Sequence, residues 1–435
     1  MKLTPLEHWI MNKSGIKERD RNALEAYQLN KIKEMIHYAK KNCLFYSGQL
    51  RDIDADEIQY LEDLQRIPFT IPNQIKENPL SFLCVPLRDI KRIVTLNSSG
   101  TSGEEKRIYF TEEDLGLTVD FFKHGMDCLA DETDKVLVLL PGKAYGSIGD
   151  LLKKALAMSK IECFVQGVLN DPEETARCIA QNNITCIVGI PMQVLYFSRI
   201  KADVFKRNIK KVLLSTDYVP EVLIRELTVQ HGCRVFTHYG MTEMGYGGGV
   251  ECEALDGYHM READLYFEIV HPETGQVLPD GQWGEVVFTT LTRQAMPLIR
   301  YKTGDIGSFS STSCACGTFL KAMRRVLGRI DNKVCITENQ CIYLRELDET
   351  VLSFKEVMDY RAYISDGNSL IIELAARNNA AFRMIEGEVV RNIEDALYKK
   401  SGYKISVKVL EKQDNNSHKI TNSMIKRKIY DCRGS

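Results

Sequence analysis

The chain has 435 residues, enough for two or three domains. Hydrophobic residues make up 44% and charged residues 27%, an ordinary balance for a water-exposed globular protein. A formal net charge of -2 leaves no global electrostatic case for a nucleic-acid or anionic-membrane partner.

The N-terminus, Met1-Lys2-Leu3-Thr4-Pro5-Leu6-Glu7-His8, lacks the apolar run of a signal peptide, and apolar stretches such as 136–140 are too short to span a bilayer. A cytoplasmic location is the expectation. The 13 cysteines are an odd number without a secretion signal, which points to reduced thiols, some of them on a metal, rather than a disulfide framework.

Residues 1 to 80 read as helices with polar connections, and 27–39 carries apolar residues at helical spacing. A strand-like run, 92–96, leads into Ser98-Ser99-Gly100-Thr101-Ser102-Gly103-Glu104-Glu105-Lys106. Four small hydroxyl residues in the first five positions, two glycines and a lysine leave backbone amides and hydroxyls pointing outward, a composition suited to phosphate oxygens. The spacing is not that of a P-loop, because Lys106 lies three residues beyond the second glycine with no Ser or Thr after it. Read alone, the stretch is equally a flexible connector.

From 90 to 240 strands and helices alternate: a strand at 135–140 closed by Pro141-Gly142, a helix at 150–158, a strand at 161–165. A helix then opens at Asp171-Pro172-Glu173-Glu174, with Asp as N-cap, Pro in the first turn and acids behind it. Strands follow at 184–189, 211–215 and 234–236. Such alternation predicts a parallel, helix-covered sheet. After 250 the texture becomes antiparallel β, with strands at 265–270 and 284–290 and turns at 273–275 and 280–281. A second change near Gly328-Arg329-Ile330-Asp331 opens a segment of α+β character. The expected architecture is α/β: a large domain, 1–330, with helix-covered parallel sheets and a β subdomain, then a small mobile α+β domain, 331–435.

Four further clusters follow the Ser/Gly loop in order: Thr237-His238-Tyr239-Gly240-Met241-Thr242-Glu243, Arg300-Tyr301-Lys302-Thr303-Gly304-Asp305, Gly328-Arg329-Ile330-Asp331 and the basic stretch Met424-Ile425-Lys426-Arg427-Lys428. By itself Thr303-Gly304-Asp305 reads as a turn. Their order and spacing resemble the adenylate-forming superfamily of acyl- and aryl-CoA ligases, nearest to its phenylacetate–CoA ligase branch.

The resemblance implies ATP-dependent activation of a carboxylic acid to an acyl-adenylate, then transfer to the thiol of coenzyme A. It implies the Ser/Gly loop and Lys106 at the phosphates, and Tyr239, within Tyr239-Gly240-Met241, stacked on adenine. It implies Thr242 at the phosphate, Glu243 as the Mg²⁺ ligand, Asp305 on the ribose hydroxyls, Arg329 at the ribose or phosphates and Asp331 as the hinge. The usual Gly-Lys near the C-terminus is absent here; Lys426 is the closest equivalent of the catalytic lysine, with Lys419 behind it.

On the substrate side, Tyr145-Gly146 falls where the family places part of its acyl pocket, and Gly245-Tyr246 where the floor lies. Glycines there leave room for an acid or merely permit a tight turn. Ser215-Thr216-Asp217, at a strand end, borders the expected nucleotide crevice. Some members of the branch carry a Cys…His…Cys-x-Cys arrangement, and Cys252, His259, Cys314 and Cys316 match it, a tetrahedral structural Zn²⁺ set.

An aryl or arylacetic acid is favoured by the branch alone. Two other readings share the motif set: an adenylating enzyme that hands its acyl group to a protein or carrier thiol, and a non-catalytic nucleotide- or metal-binding relative. A homodimer is compatible with the chain, which carries no feature that fixes oligomeric state.

Overall fold

The computed structural model describes residues 3–96, 105–337, 340–366, 369–402, 404–412 and 427–433. By packing, the chain divides into two units: Met1–Gly167 with Phe236–Val326, and Val168–Val235 with Leu327–Ser435. The polypeptide returns from the second unit to the first inside the strand Arg234–Tyr239.

The first unit opens with helices, as the apolar spacing requires. Pro5–Ser14 starts on a Thr4–Glu7 capping box and stops at Gly15, whose φ of 74° suits a residue without a Cβ. Arg21–Asn42 is capped by the Asp20 carboxylate and buries Leu24, Ile32, Met35, Ile36 and Ala39 along one face. The strands Lys135–Leu139 and Glu162–Val165 pair in parallel, with the helix Ile148–Met158 between them. Gly149 donates its amide to the Pro141 carbonyl at 2.8 Å, and a Cβ on Gly142 would lie 2.1 Å from a Val165 methyl. That close approach is why the strand ends in Pro-Gly.

The β region of this unit is antiparallel, as its turn-rich texture predicts. Leu265–Val270, Gly284–Thr290 and Tyr301–Gly307 form one sheet in that order. Thr303-Gly304-Asp305 is therefore strand, not turn. The register shifts between Glu285 and Val287, and Gly304 takes a φ of 76°, so the chain bulges while it stays paired. A second antiparallel set joins the end of Arg234–Tyr239 to Gly249–Glu251 and Tyr258–Met260.

In the second unit, Cys186–Gly189 and Lys211–Leu214 pair in parallel among the helices Pro172–Asn182, Pro191–Ile200 and Glu221–His231. Asp171 caps the first of these by accepting from the amides of Glu173 and Glu174. Its C-terminal part is α+β, as expected: a four-stranded sheet ordered Ser406–Glu411, Ser369–Ala376, Val357–Asp366, Ile429–Asp431, with the helix Asn379–Ser401.

Two arginines, Arg199 buried and Arg427 half-buried, organise this unit. Arg199 grips Glu226 and donates to the main-chain carbonyls of Leu352, at 2.7 Å, and of Val357. Arg427 donates to Asp348 at 2.7 Å, which also accepts from the Tyr360 hydroxyl at 2.6 Å.

Eleven cysteines are free, as the reduced-thiol expectation has it, and one pair departs from it. Cys335 and Cys341 are joined as a disulfide. They stand opposite each other in the antiparallel hairpin Lys333–Thr337/Gln340–Tyr343, and that register brings two sulfurs within bonding reach.

Candidate nucleotide site and a cysteine–histidine cluster

The strand Arg234–Tyr239 delivers Tyr239 to the first unit, and a one-turn helix, Thr242–Met244, follows at once. The turn is tight by necessity. A Cβ on Gly240 would fall 2.3 Å from the Tyr246 carbonyl oxygen, and Gly245 and Tyr246 take φ of 71° and 68°. Thr118 clamps it by donating to the Gly245 carbonyl at 2.9 Å.

Tyr239 is buried, and its hydroxyl donates to Asp305 Oδ2 at 3.0 Å across the interval from turn to sheet. Burial first, then the Asp305 carboxylate, pushes the Tyr239 hydroxyl well above its ordinary range, so it stays a donor. Asp305 is held in turn. Its amide donates to Thr303 Oγ1 at 3.0 Å, and the Gly304 amide donates to Glu285 at 3.0 Å.

Glu243 is buried, with a side-chain exposure of 3%. Its carboxylate pairs with the Lys106 ammonium and accepts from the Tyr301 hydroxyl at 3.2 Å; Lys106 Nζ is also 3.2 Å from that hydroxyl. A buried carboxylate already seated on a cation is a donor suited to a hard divalent ion, so Glu243 fits Mg²⁺. The main chain beneath is pinned by Arg293, which donates to the carbonyl of Glu243 at 2.6 Å and to that of Tyr109 at 3.0 Å. Arg293 and Tyr301 were not singled out from sequence. Tyr301 stands inside the cluster at 300–305, whereas nothing in the order of residues marks Arg293.

The remaining positions divide. Ser98, Ser99, Gly100, Thr101, Ser102 and Gly103, with Lys419 and Lys426, lie outside the described residues. Ser215, Thr216, with a φ of 78°, and Asp217 belong to the second unit. Arg329 and Asp331 are also there, joined by a 3.0 Å hydrogen bond.

In the first unit Tyr246 donates to the Gly146 carbonyl at 3.3 Å and stacks on Phe110, so these two candidate pocket positions do meet. Tyr145 is 48% exposed and donates to Glu112. The glycines after Tyr246 are filled by the protein itself. A Cβ on Gly247 would meet Phe121 at 2.4 Å, and one on Gly248 would meet Met244 at 2.8 Å. Their smallness serves packing, not an open cavity.

Cys252, His259, Cys314 and Cys316 converge, with all four ligand atoms within 4.8 Å of one another. Strand pairing sets Val250 opposite His259, which places Cys252 near the ring, and a turn closed by Gly317 brings in the two later thiols. Cys252 Sγ is 3.7 Å from Cys314 Sγ, and Cys316 Sγ is 3.5 Å from His259 Nε2. A tetrahedral zinc with Zn–S of about 2.3 Å and Zn–N of about 2.0–2.1 Å requires edges of about 3.8 and 3.6 Å. The donor set therefore fits that ion. Hydrogen bonding to His259 draws the Cys314 thiol down to about 6.

An α/β fold with these strand-end clusters is that of an adenylate-forming enzyme. The chain belongs to the AMP-binding enzyme family, which it matches over residues 52–292. It is similar to a phenylacetate–coenzyme A ligase of Thermus thermophilus, 26% identical, over 98% of this chain and 94% of that protein. A second, from Pseudomonas putida, is 27% identical over 86% of this chain and 88% of that protein. Among solved structures, a 2-hydroxyisobutyryl-CoA ligase in the postadenylation state superposes with a TM-score of 0.78 at 17% identity, covering 94% of this chain and 89% of that one. Among the described residues no helix is long and apolar enough to cross a membrane.

Proposed function

We propose that this protein is an AMP-forming carboxylate–CoA ligase. It joins a carboxylic acid to the α-phosphate of ATP with loss of pyrophosphate, then passes the acyl group to the thiol of coenzyme A. The observation that carries the reading is the set Tyr239–Asp305 and Lys106–Glu243–Tyr301, gathered within one unit in a chain of this family. No packing requirement selects a half-buried lysine against a buried glutamate and tyrosine.

Tyr239 offers its ring to adenine, and Asp305 accepts the ribose hydroxyls with two carboxylate oxygens. Thr242, the Ser/Gly loop and Lys106 hold the phosphates. Glu243 holds Mg²⁺, which supplies charge neutralisation at the phosphates when bound. Ser215, Thr216 and Asp217 border the adenine. Tyr145, Gly146, Gly245 and Tyr246 flank the acid, an aryl or arylacetic one by the branch. Lys426 completes the adenylation set, and Arg329 reaches the ribose or phosphates. Residues 331–435 turn as a domain about Asp331 between the two half-reactions. Cys252, His259, Cys314 and Cys316 hold one structural zinc, because all four positions of the tetrahedron are protein groups. The reaction runs in the cytoplasm.

The test is carboxylate-dependent ATP–pyrophosphate exchange across aryl, arylacetic and aliphatic acids, followed by CoA-dependent thioester formation with the acid that exchanges best. Exchange with an arylacetic acid and a CoA product is the expected result. Exchange with no acid in the panel overturns the catalytic reading, and exchange without a CoA product moves the acceptor to a protein thiol.

A further inference from the structure

Lys106 has two claims on it. The proposed function sends it to the phosphates, yet its ammonium lies on the Glu243 carboxylate and beside the Tyr301 hydroxyl. Glu243 is buried, so its charge has to be compensated in the nucleotide-free protein. A divalent cation at the same carboxylate repels an ammonium seated there. The two cations therefore compete.

The surroundings decide which part can move. Tyr301 is fully buried and fixed by its pairing with Phe288. Arg293 ties the Glu243 carbonyl to Tyr109, on the same strand as Lys106, so neither backbone is free to shift. The four-carbon stem of Lys106 is what remains adjustable.

We propose that Lys106 is an exchangeable counter-ion of the metal ligand. It neutralises Glu243 while the site is empty of metal, is displaced when a divalent cation takes the carboxylate, and only then carries its charge to the phosphate chain. Metal arrival thus releases the lysine for the nucleotide, and Tyr301 is the positioning residue that holds the seat for whichever cation is present. The inference rests on the reading of Glu243 as the metal ligand.

Its test uses Mn²⁺ as the probe with nucleotide absent. Binding is followed by titration calorimetry, with Glu243→Gln as the control that isolates this site. Lys106→Met removes the competitor, so Mn²⁺ affinity rises about tenfold while Mg·ATP affinity falls about tenfold; Lys106→Arg keeps the wild-type Mn²⁺ affinity. A lysine with only a structural role weakens both. In the wild-type protein, amine labelling of Lys106 read by mass spectrometry increases several-fold on adding Mn²⁺, a measurement that does not depend on a variant folding. Unchanged labelling, or Mn²⁺ binding no tighter in a folded Lys106→Met variant, overturns the proposal. Acid-dependent exchange in the wild type combined with those negative results leaves the ligase reading standing and the counter-ion proposal alone refuted. The opposite pattern refutes the ligase reading and keeps the exchange.

Discussion

The Tyr239 hydroxyl is 3.0 Å from the Asp305 carboxylate, although the two residues are 66 positions apart and lie on strands of different sheets. The aromatic read as the adenine platform and the acid read as the ribose acceptor thus support each other before any nucleotide arrives. Asp305→Asn removes the charge from both jobs. KM for ATP should rise about 10- to 100-fold, the span of a charge-assisted hydrogen bond worth about 1.5–3 kcal/mol. Steady-state kinetics at saturating acid checks this, and an unchanged KM would remove Asp305 from the nucleotide site.

Lys426→Ala should collapse adenylation while leaving thioester formation from a supplied acyl-adenylate largely intact, because the two half-reactions use different groups. Pyrophosphate exchange and single-turnover thioester formation read the two steps separately. If exchange survives in Lys426→Ala and fails in Lys419→Ala, the lysine is the other one.

His238 packs among Phe121 and Phe122, and burial drives its imidazole down to about 4. The unfolded chain protonates near 6.5 and the folded one near 4, so this group's contribution is present above pH 6.5 and is lost as pH falls toward 4. The loss amounts to about 3 kcal/mol over that window. In urea unfolding at a series of pH values, wild type should lose about 3 kcal/mol of stability relative to His238→Phe between pH 6.5 and 4. Parallel curves would mean that the ring titrates alike in the folded and unfolded chains.

Removing zinc should loosen the first unit. Protein purified without chelator is expected to carry about one zinc per chain, and a strong chelator should lower its melting temperature. Cys314→Ser should reproduce that drop and abolish the response to chelator. Metal-free protein of unchanged stability would reduce the four residues to a packed thiol cluster.

Arg199→Met should destabilise the second unit by about 3–5 kcal/mol, since it strands the Glu226 carboxylate and the carbonyls of Leu352 and Val357. Denaturant unfolding measures the loss directly. A change under about 1 kcal/mol would show that water replaces the guanidinium at no great cost.

The helices and strands were legible because local rules place them. Asp171-Pro172 announces a helix start, and the runs at 265–270 and 284–290 fall on strands with those same bounds. The ordered clusters likewise disclosed the class of chemistry, since Tyr239, Glu243, Asp305 and Lys106 are recognised by residue type and spacing along the chain. What the sequence could not state was which groups face one another. That Thr303-Gly304-Asp305 bulges within a strand depends on the partner strand at Glu285.

That Gly247 makes room for Phe121, rather than for an acid, depends on a helix more than a hundred residues earlier. Arg293 binds two carbonyls that only the fold brings near it, and Cys335 meets Cys341 through hairpin register. Composition, element type and motif order are short-range properties written in neighbouring residues. Partnership is long-range, because strand register and side-chain packing are decided by the burial of distant surfaces against each other, and only the tertiary structure carries that information.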